Sequence, residues 1–308
     1  MAWTTADIPA LTGRTALVTG ANSGLGLETA RALAAQGATV LLACRSRAKA
    51  EQACATLAPA SRGTLLPLEL DLADLRSVAA AAAAVASEHD GLDLLINNAG
   101  VMAPPLQRSA QGFELQLAVN HLGHFALTQG LQPLLERRPG ARVVTVSSGA
   151  AYFGRIQFDD LRAERRYDPW GAYGQSKLAN VMTALELQRR LNAAGSSVTS
   201  LVAHPGLART NLQPSSVASR GSQLEALAYR LMDPLFQSAA MGALPQLFAA
   251  TAPQAQPGVF YGPGGLANLK GYPTACRMPP AALDAAACRR LWALSAEAVS
   301  VRPGSVQA

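Results

Sequence analysis

Between a short β-branched run, Thr15–Val18, and an amphipathic stretch, Leu25–Gln36, the chain reads Thr19-Gly20-Ala21-Asn22-Ser23-Gly24-Leu25-Gly26. Nothing else in the sequence constrains the fold as much. Glycine accepts positive φ and lets a backbone approach a ligand closely. The helix that opens behind the turn presents unpaired N–H groups and a partial positive charge. Strand, glycine turn and helix in that order form a cradle for a pyrophosphate. Dinucleotide binding is therefore expected, with Gly20, Asn22, Ser23, Gly24, Leu25 and Gly26 around the phosphates.

The same alternation continues downstream. Strands are predicted at Thr15–Val18, Thr39–Ala43, Leu65–Leu70, Leu92–Ile96, Arg142–Val146, Val198–Val202 and Gly258–Tyr261. Helices are predicted at Leu25–Gln36, Arg47–Leu57, Leu75–Glu88, Gly112–Leu131 and Tyr173–Ala193. Strands alternating with helices argue for a parallel sheet. Several strands are apolar at consecutive positions, as expected when helices cover both faces. The expected fold is a single-domain, doubly wound α/β sheet of Rossmann type over residues 1–308, with about seven strands. Residues 207–253 break the rhythm, with helical periodicity only near Gln223–Leu235 and Ala239–Ala250. So long an excursion from the carboxyl end of a strand, where open α/β sheets bind ligands, is expected to be a substrate-covering lid.

Composition narrows the function classes. Of 308 residues, 49% are hydrophobic and 15% charged, enough for a large core and against disorder. The formal charge of +6 permits an anionic ligand, but the arginines are scattered, with no basic stripe interleaved with aromatics, so nucleic acid is not expected. No apolar run reaches the roughly 18 residues of a membrane span, and the first residues carry no secretory pattern, which points to the cytoplasm. Cys44, Cys54, Cys276 and Cys288 lack zinc spacing and are expected to be reduced thiols, with no metal.

Five motifs then stand in order: TGxxxGxG at Thr19–Gly26, Asp71-Leu72 after the third strand, Asn97-Asn98-Ala99-Gly100 after the fourth, Tyr173-Gly174-Gln175-Ser176-Lys177, and Pro205-Gly206 after the sixth. With them the sequence resembles the short-chain dehydrogenase/reductase family over nearly its whole length. The resemblance implies that Asp71 and Leu72 lie at an adenine ring, that Asn98, Ala99 and Gly100 line the cofactor, and that Lys177 bonds the nicotinamide ribose. Pro205 and Gly206 join the cofactor site on the same ground.

At the ribose-reading position, the end of the second strand, the chain has Ala43-Cys44-Arg45-Ser46 and no carboxylate before Glu51. A carboxylate there repels a 2′-phosphate, whereas a guanidinium pairs with it. Arg45, with the Ser46 hydroxyl, points to NADP(H).

Hydride reduction of a carbonyl needs a proton for the developing alkoxide and a group to hold the oxygen. Tyr173 and Lys177, four apart on a predicted helix, share a face. A phenol of pKa about 10 becomes usable near neutrality when cations favour its ionised form. Tyr173 is the expected acid in reduction and base in oxidation. Of Ser147 and Ser148, the resemblance selects the second to hold the substrate oxygen and leaves the first as the alternative. It also implies that Asn120 anchors a water-mediated proton relay to Lys177. His121 and His124 are expected to pack or cap. Tyr152, Tyr167 and Tyr261 lack a lysine four residues on.

The long segment between Ser148 and Tyr173, with Ala43-Cys44-Arg45 and His204-Pro205-Gly206, is similar to the branch holding retinol dehydrogenases, WW-domain oxidoreductases and protochlorophyllide reductases. That similarity implies a bulky, hydrophobic small-molecule carbonyl or alcohol as substrate, with reduction of a carbon–carbon double bond as the alternative. The apolar set Leu224, Leu227, Leu231, Met232, Leu235 and Phe236 suits such a substrate and suits plain packing equally. A non-catalytic NADP sensor has no use for all of Asn120, Ser148, Tyr173 and Lys177. The first residues do not read as the amino-terminal membrane anchor of many retinol enzymes, so a soluble homologue is expected. Many family members are dimers or tetramers, and the resemblance leaves the assembly open.

Overall fold

Residues 2–209 and 236–300 are described by the structure, a computed structural model. Eight strands form one sheet: β1 (Thr15–Thr19), β2 (Thr39–Cys44), β3 (Leu65–Glu69), β4 (Leu94–Asn97), β5 (Arg142–Val146), β6 (Thr199–Ala203), β7 (Phe260–Pro263) and β8 (Pro273–Ala275). Their order is β3-β2-β1-β4-β5-β6-β7-β8, and every pair is parallel except β7 with β8. The sheet is the expected parallel α/β type with one strand more. β8 is a three-residue edge strand that begins on a proline, too short to show alternation in the sequence and tolerated only at an edge.

Consecutive apolar residues divide between the two faces. Ala16 and Val18, Val40 and Leu42, and Leu94 and Ile96 join one core cluster, while Leu17, Leu41 and Leu95 join the other. The first face is covered by α1 (Gly24–Ala35), α2 (Arg47–Leu57) and a later helix, Ala239–Thr251. The second is covered by α3 (Leu75–Glu88), α5 (Gly123–Glu136) and α6 (Pro169–Ala193). Ahead of α5 the chain makes a short turn of helix, α4 (Leu115–Leu117), and a π-turn at Ala118–Leu122.

Helix starts explain where the predicted bounds shift. Asp168 accepts the Gly171 N–H at 2.5 Å and Pro169 is the first helical residue, so α6 begins a turn before Tyr173. Glu114 accepts the N–H groups of Gln116 and Leu117, so the helical path predicted from Gly112 begins at Leu115, and Gly112 stays in a turn with φ +77°.

The segment predicted as a lid is divided. Residues 210–235, which hold Leu224, Leu227, Leu231, Met232 and Leu235, lie outside the described residues. Ala239–Thr251, here α7, is a crossover helix, buried from Gly242 to its end against α1 and the sheet, and not a cover. The last helix, α8 (Ala285–Ser300), packs on α6 and α5, with Trp292 edge-on to Phe125 at 4.8 Å. Among the described residues no helix is long and apolar enough to cross a membrane.

Strands run outward in opposite directions from β1 and β4, so the crevice at their carboxyl ends is the switch point where such sheets bind ligands. The glycine turn leaves β1 there, and Asn98-Ala99-Gly100 leaves β4 beside it.

Candidate active site

The turn after β1 is built for close approach. Gly20 and Gly24 take φ of +66° and +55°. A Cβ on Gly20 would lie 3.0 Å from the Cα of Ala99, and one on Gly26 would run into the carbonyl of Gly20 and come within 2.6 Å of Asn98 Nδ2. Ser23, at the start of α1, makes no side-chain cap to the helix N–H groups. Among the described residues those donors have no side-chain partner, which suits a pyrophosphate. Asn98 fastens the two strand ends, with its Nδ2 donating to the Thr19 carbonyl at 2.8 Å.

At the end of β2, Arg45 is exposed, and no ion pair of Arg45 occurs among the described residues. Ser46 accepts the Lys49 N–H at 3.4 Å and starts α2. Glu51 is drawn to Arg47 at 3.1 Å. Asp71, half-buried, accepts the Ala73 N–H at 2.9 Å, and the neighbouring Leu72 is buried beneath Gly123. The residues present fit a phosphorylated dinucleotide in chemistry: a glycine turn, main-chain donors at the start of α1 and an exposed guanidinium at the end of β2. Pro205 and Gly206 follow β6, with Gly206 at φ +64° and Pro205 held through its carbonyl by Gln237 at 2.8 Å.

Across the crevice, α6 carries Tyr173 and Lys177. Both are buried, and the amine lies 5.9 Å from the centre of the phenol ring. Lys177 Nζ donates to the Val146 carbonyl at 3.2 Å, and burial pushes its pKa from 10.5 down to about 8. Trp170, one turn earlier on α6, stands edge-on to Tyr173 at 6.1 Å and is partly exposed.

The serine pair is separated by its surroundings. Ser147 is buried and donates to the Lys177 carbonyl at 2.7 Å. Ser148 is half-exposed, and its oxygen accepts the Ala150 N–H at 3.2 Å, which leaves its hydrogen for another acceptor. Asn120 lies in the π-turn, fully buried. Its Oδ1 accepts the Val101 N–H at 2.8 Å, and its Nδ2 donates to Val101 O and Ser176 Oγ, each at 2.9 Å. Around Gly100 the site closes up: a Cβ there would be 3.2 Å from Asn120 Oδ1 and 3.4 Å from Lys177 Nζ.

His121 and His124 are buried and neutral, their pKa values pushed down by burial to about 4 and about 3. Tyr152, Tyr167 and Tyr261 are tied to main-chain groups of Arg277, Pro104 and Gln256. Two residues bind the site together: Gln246, which carries no motif in the sequence, and Thr19, which opens the TGxxxGxG motif without a role of its own there. Thr19 accepts the N–H groups of Asn98 and Ala99 at 2.9 Å each. Gln246 of α7 donates to Asn98 Oδ1 at 3.1 Å and to Thr29 Oγ1 at 2.5 Å. A glutamine in an otherwise apolar buried helix is the one signal the sequence offered. All four cysteines are free thiols.

Known proteins fit this architecture. The family model described as short chain dehydrogenase matches residues 14–221. Human retinol dehydrogenase 12 is 41% identical over 297 residues, covering 95% of this chain and 88% of that protein. An uncharacterized protein from Mycobacterium paratuberculosis superposes with TM-score 0.80 at 42% identity, over 98% of this chain and 99% of its own. A short chain dehydrogenase from Burkholderia cenocepacia in complex with NADP superposes with TM-score 0.63 at 25% identity, over 82% and 96%.

Proposed function

The chain belongs to the short chain dehydrogenase family of oxidoreductases, in its retinol dehydrogenase-like branch, and from that premise we propose that it moves hydride between NADP(H) and a hydrophobic small-molecule carbonyl or alcohol. The observation that carries the proposal is the buried Lys177 amine set beside the buried Tyr173 ring at the open end of the sheet. When bound, NADPH supplies the hydride.

The chain's own residues supply the rest. Helix donors at Gly24–Gly26 and the glycine turn hold the pyrophosphate, Arg45 and Ser46 pair with the 2′-phosphate, and Asp71 and Leu72 lie toward the adenine. Ser148 donates its free hydrogen to the substrate oxygen. Tyr173 gives that oxygen its proton in reduction and takes it back in oxidation. An adjacent ammonium stabilises the tyrosinate that remains. An amine with a pKa near 8 both holds and releases a proton near neutrality, which suits it to pass one on to the phenol. Asn120, its side chain committed to Val101 and Ser176, offers its main-chain carbonyl to the relay. The half-exposed indole of Trp170 beside Tyr173 favours an apolar substrate.

The test is NADPH and NADH consumption against a panel of ketones, aldehydes and enones. Carbonyl-dependent oxidation of NADPH, faster than that of NADH, is expected. Consumption by no carbonyl, or saturation of enone double bonds alone, would contradict the proposal.

A further inference from the structure

A directed chain of hydrogen bonds crosses the floor of the crevice. The Thr19 oxygen receives the N–H groups of Asn98 and Ala99. Its own hydrogen has His124 Nε2 at 2.8 Å, with the Ile96 carbonyl a longer alternative at 3.4 Å. The other ring nitrogen of His124, Nδ1, lies 3.0 Å from the main-chain carbonyl of Asn120. A carbonyl only accepts, so Nδ1 carries the hydrogen, and in a neutral ring Nε2 must then accept. The ring is neutral because it is wholly buried, and the titratable groups acting on it, Lys177 and His121, add to the penalty on a charge. Every donor in the series points the same way, from the loop after β4 to the Asn120 carbonyl.

Asn120 has little freedom left. Its side chain is used up by Val101 and Ser176, and its carbonyl has two lone pairs, of which His124 takes one. We propose that His124 is a positioning residue that fixes the Asn120 carbonyl for proton transfer to Lys177 and ties it, through Thr19, to the dinucleotide cradle. This rests on the function proposed above, in which Asn120 serves the relay. No other described side chain joins the two halves of the site in this way.

Two substitutions divide the ring between them. Glutamine places an acceptor near Nε2 and loses the donor to Asn120; asparagine keeps a donor near Nδ1 and leaves the Thr19 hydroxyl without its nearer acceptor. His124→Gln is expected to lower kcat tenfold or more and to move the pH midpoint of kcat, with NADPH affinity changed less than threefold. His124→Asn is expected to recover most of that kcat and to weaken NADPH binding severalfold, read by cofactor fluorescence. Loss of kcat and cofactor affinity in equal proportion in both variants would mean packing alone and overturn the proposal. Independently of turnover, imidazole ¹⁵N spectra of the full chain are expected to show His124 protonated at Nδ1. Protonation at Nε2 would overturn it even in an active enzyme, whereas absence of carbonyl turnover with the Nδ1 form intact would count against the proposed function instead.

Discussion

The Ser147 hydroxyl donates to the main-chain carbonyl of Lys177 at 2.7 Å, tying the end of β5 to the helical turn that carries the buried amine. Ser148, the next residue, is half-exposed and only accepts the Ala150 N–H, so one serine is spent on the scaffold and the other keeps its hydrogen. Ser147→Ala is expected to cost about 1 kcal/mol of stability, the net worth of one hydrogen bond, with kcat reduced less than fivefold. Ser148→Ala is expected to lower kcat by about 10²–10³-fold, as for other donors to a developing oxyanion. Thermal melts and kcat for both variants check the division.

Lys177 is held at a disadvantage to stability. Its amine falls from 10.5 to about 8 on folding because burial disfavours the charge. Between those values the unfolded chain binds more protons, so this group's contribution to stability rises with pH. The penalty is fully present below pH 8 and gone above about pH 10.5. Lys177→Met removes it, and the Val146 carbonyl keeps a donor in Asn180 Nδ2 at 3.2 Å. The variant is expected to be inactive yet more stable at pH 7, by about 1–3 kcal/mol. That gain should shrink as pH rises through 8 to 10, measured by denaturant unfolding.

In the proposed function, Arg45 is the residue that tells the two nicotinamide dinucleotides apart. A charge-assisted bond to phosphate contributes about 1.5–3 kcal/mol. Arg45→Ala is therefore expected to raise the KM for NADPH about tenfold or more while the KM for NADH changes less than threefold. Parallel steady-state kinetics with the two cofactors reads the difference directly.

Gly26 makes the opposite prediction. An added methyl meets the Gly20 carbonyl, a main-chain atom that cannot move aside, and the Asn98 amide. Gly26→Ala is expected to weaken NADPH and NADH alike, both by more than tenfold, because the cradle serves the pyrophosphate that they share. Titration of each cofactor by fluorescence checks the equality.

The parts legible in the sequence are those whose chemistry is local. A glycine turn between strand and helix, or a tyrosine and lysine one helical turn apart, is set by neighbours along the chain, and these residues do meet at one crevice. The α/β order was readable for the same reason: strands buried on both faces show as unbroken apolar runs. Contacts between distant segments left no such trace. Thr19 gains its place from Asn98 and Ala99 on another strand, Gln246 from Asn98, and His124 from Thr19 and Asn120 together. The different surroundings of Ser147 and Ser148 are likewise set by a distant partner, the Lys177 carbonyl. Periodicity also could not tell a packed crossover from a cover, and α7 proved to be the former. The start of α6 is a local signal too: Asp168 caps the helix and Pro169 is its first residue.

The most direct test of the account is Tyr173→Phe, with NADPH binding and single-turnover carbonyl reduction measured on the same preparation. Removing the phenol hydrogen while keeping the ring should leave NADPH affinity within a fewfold of the unmodified chain. The hydride step should slow by about 10²–10⁴-fold, the usual worth of a placed general acid. A variant that binds NADPH and reduces the carbonyl at an undiminished rate would contradict the claim that Tyr173 delivers the proton.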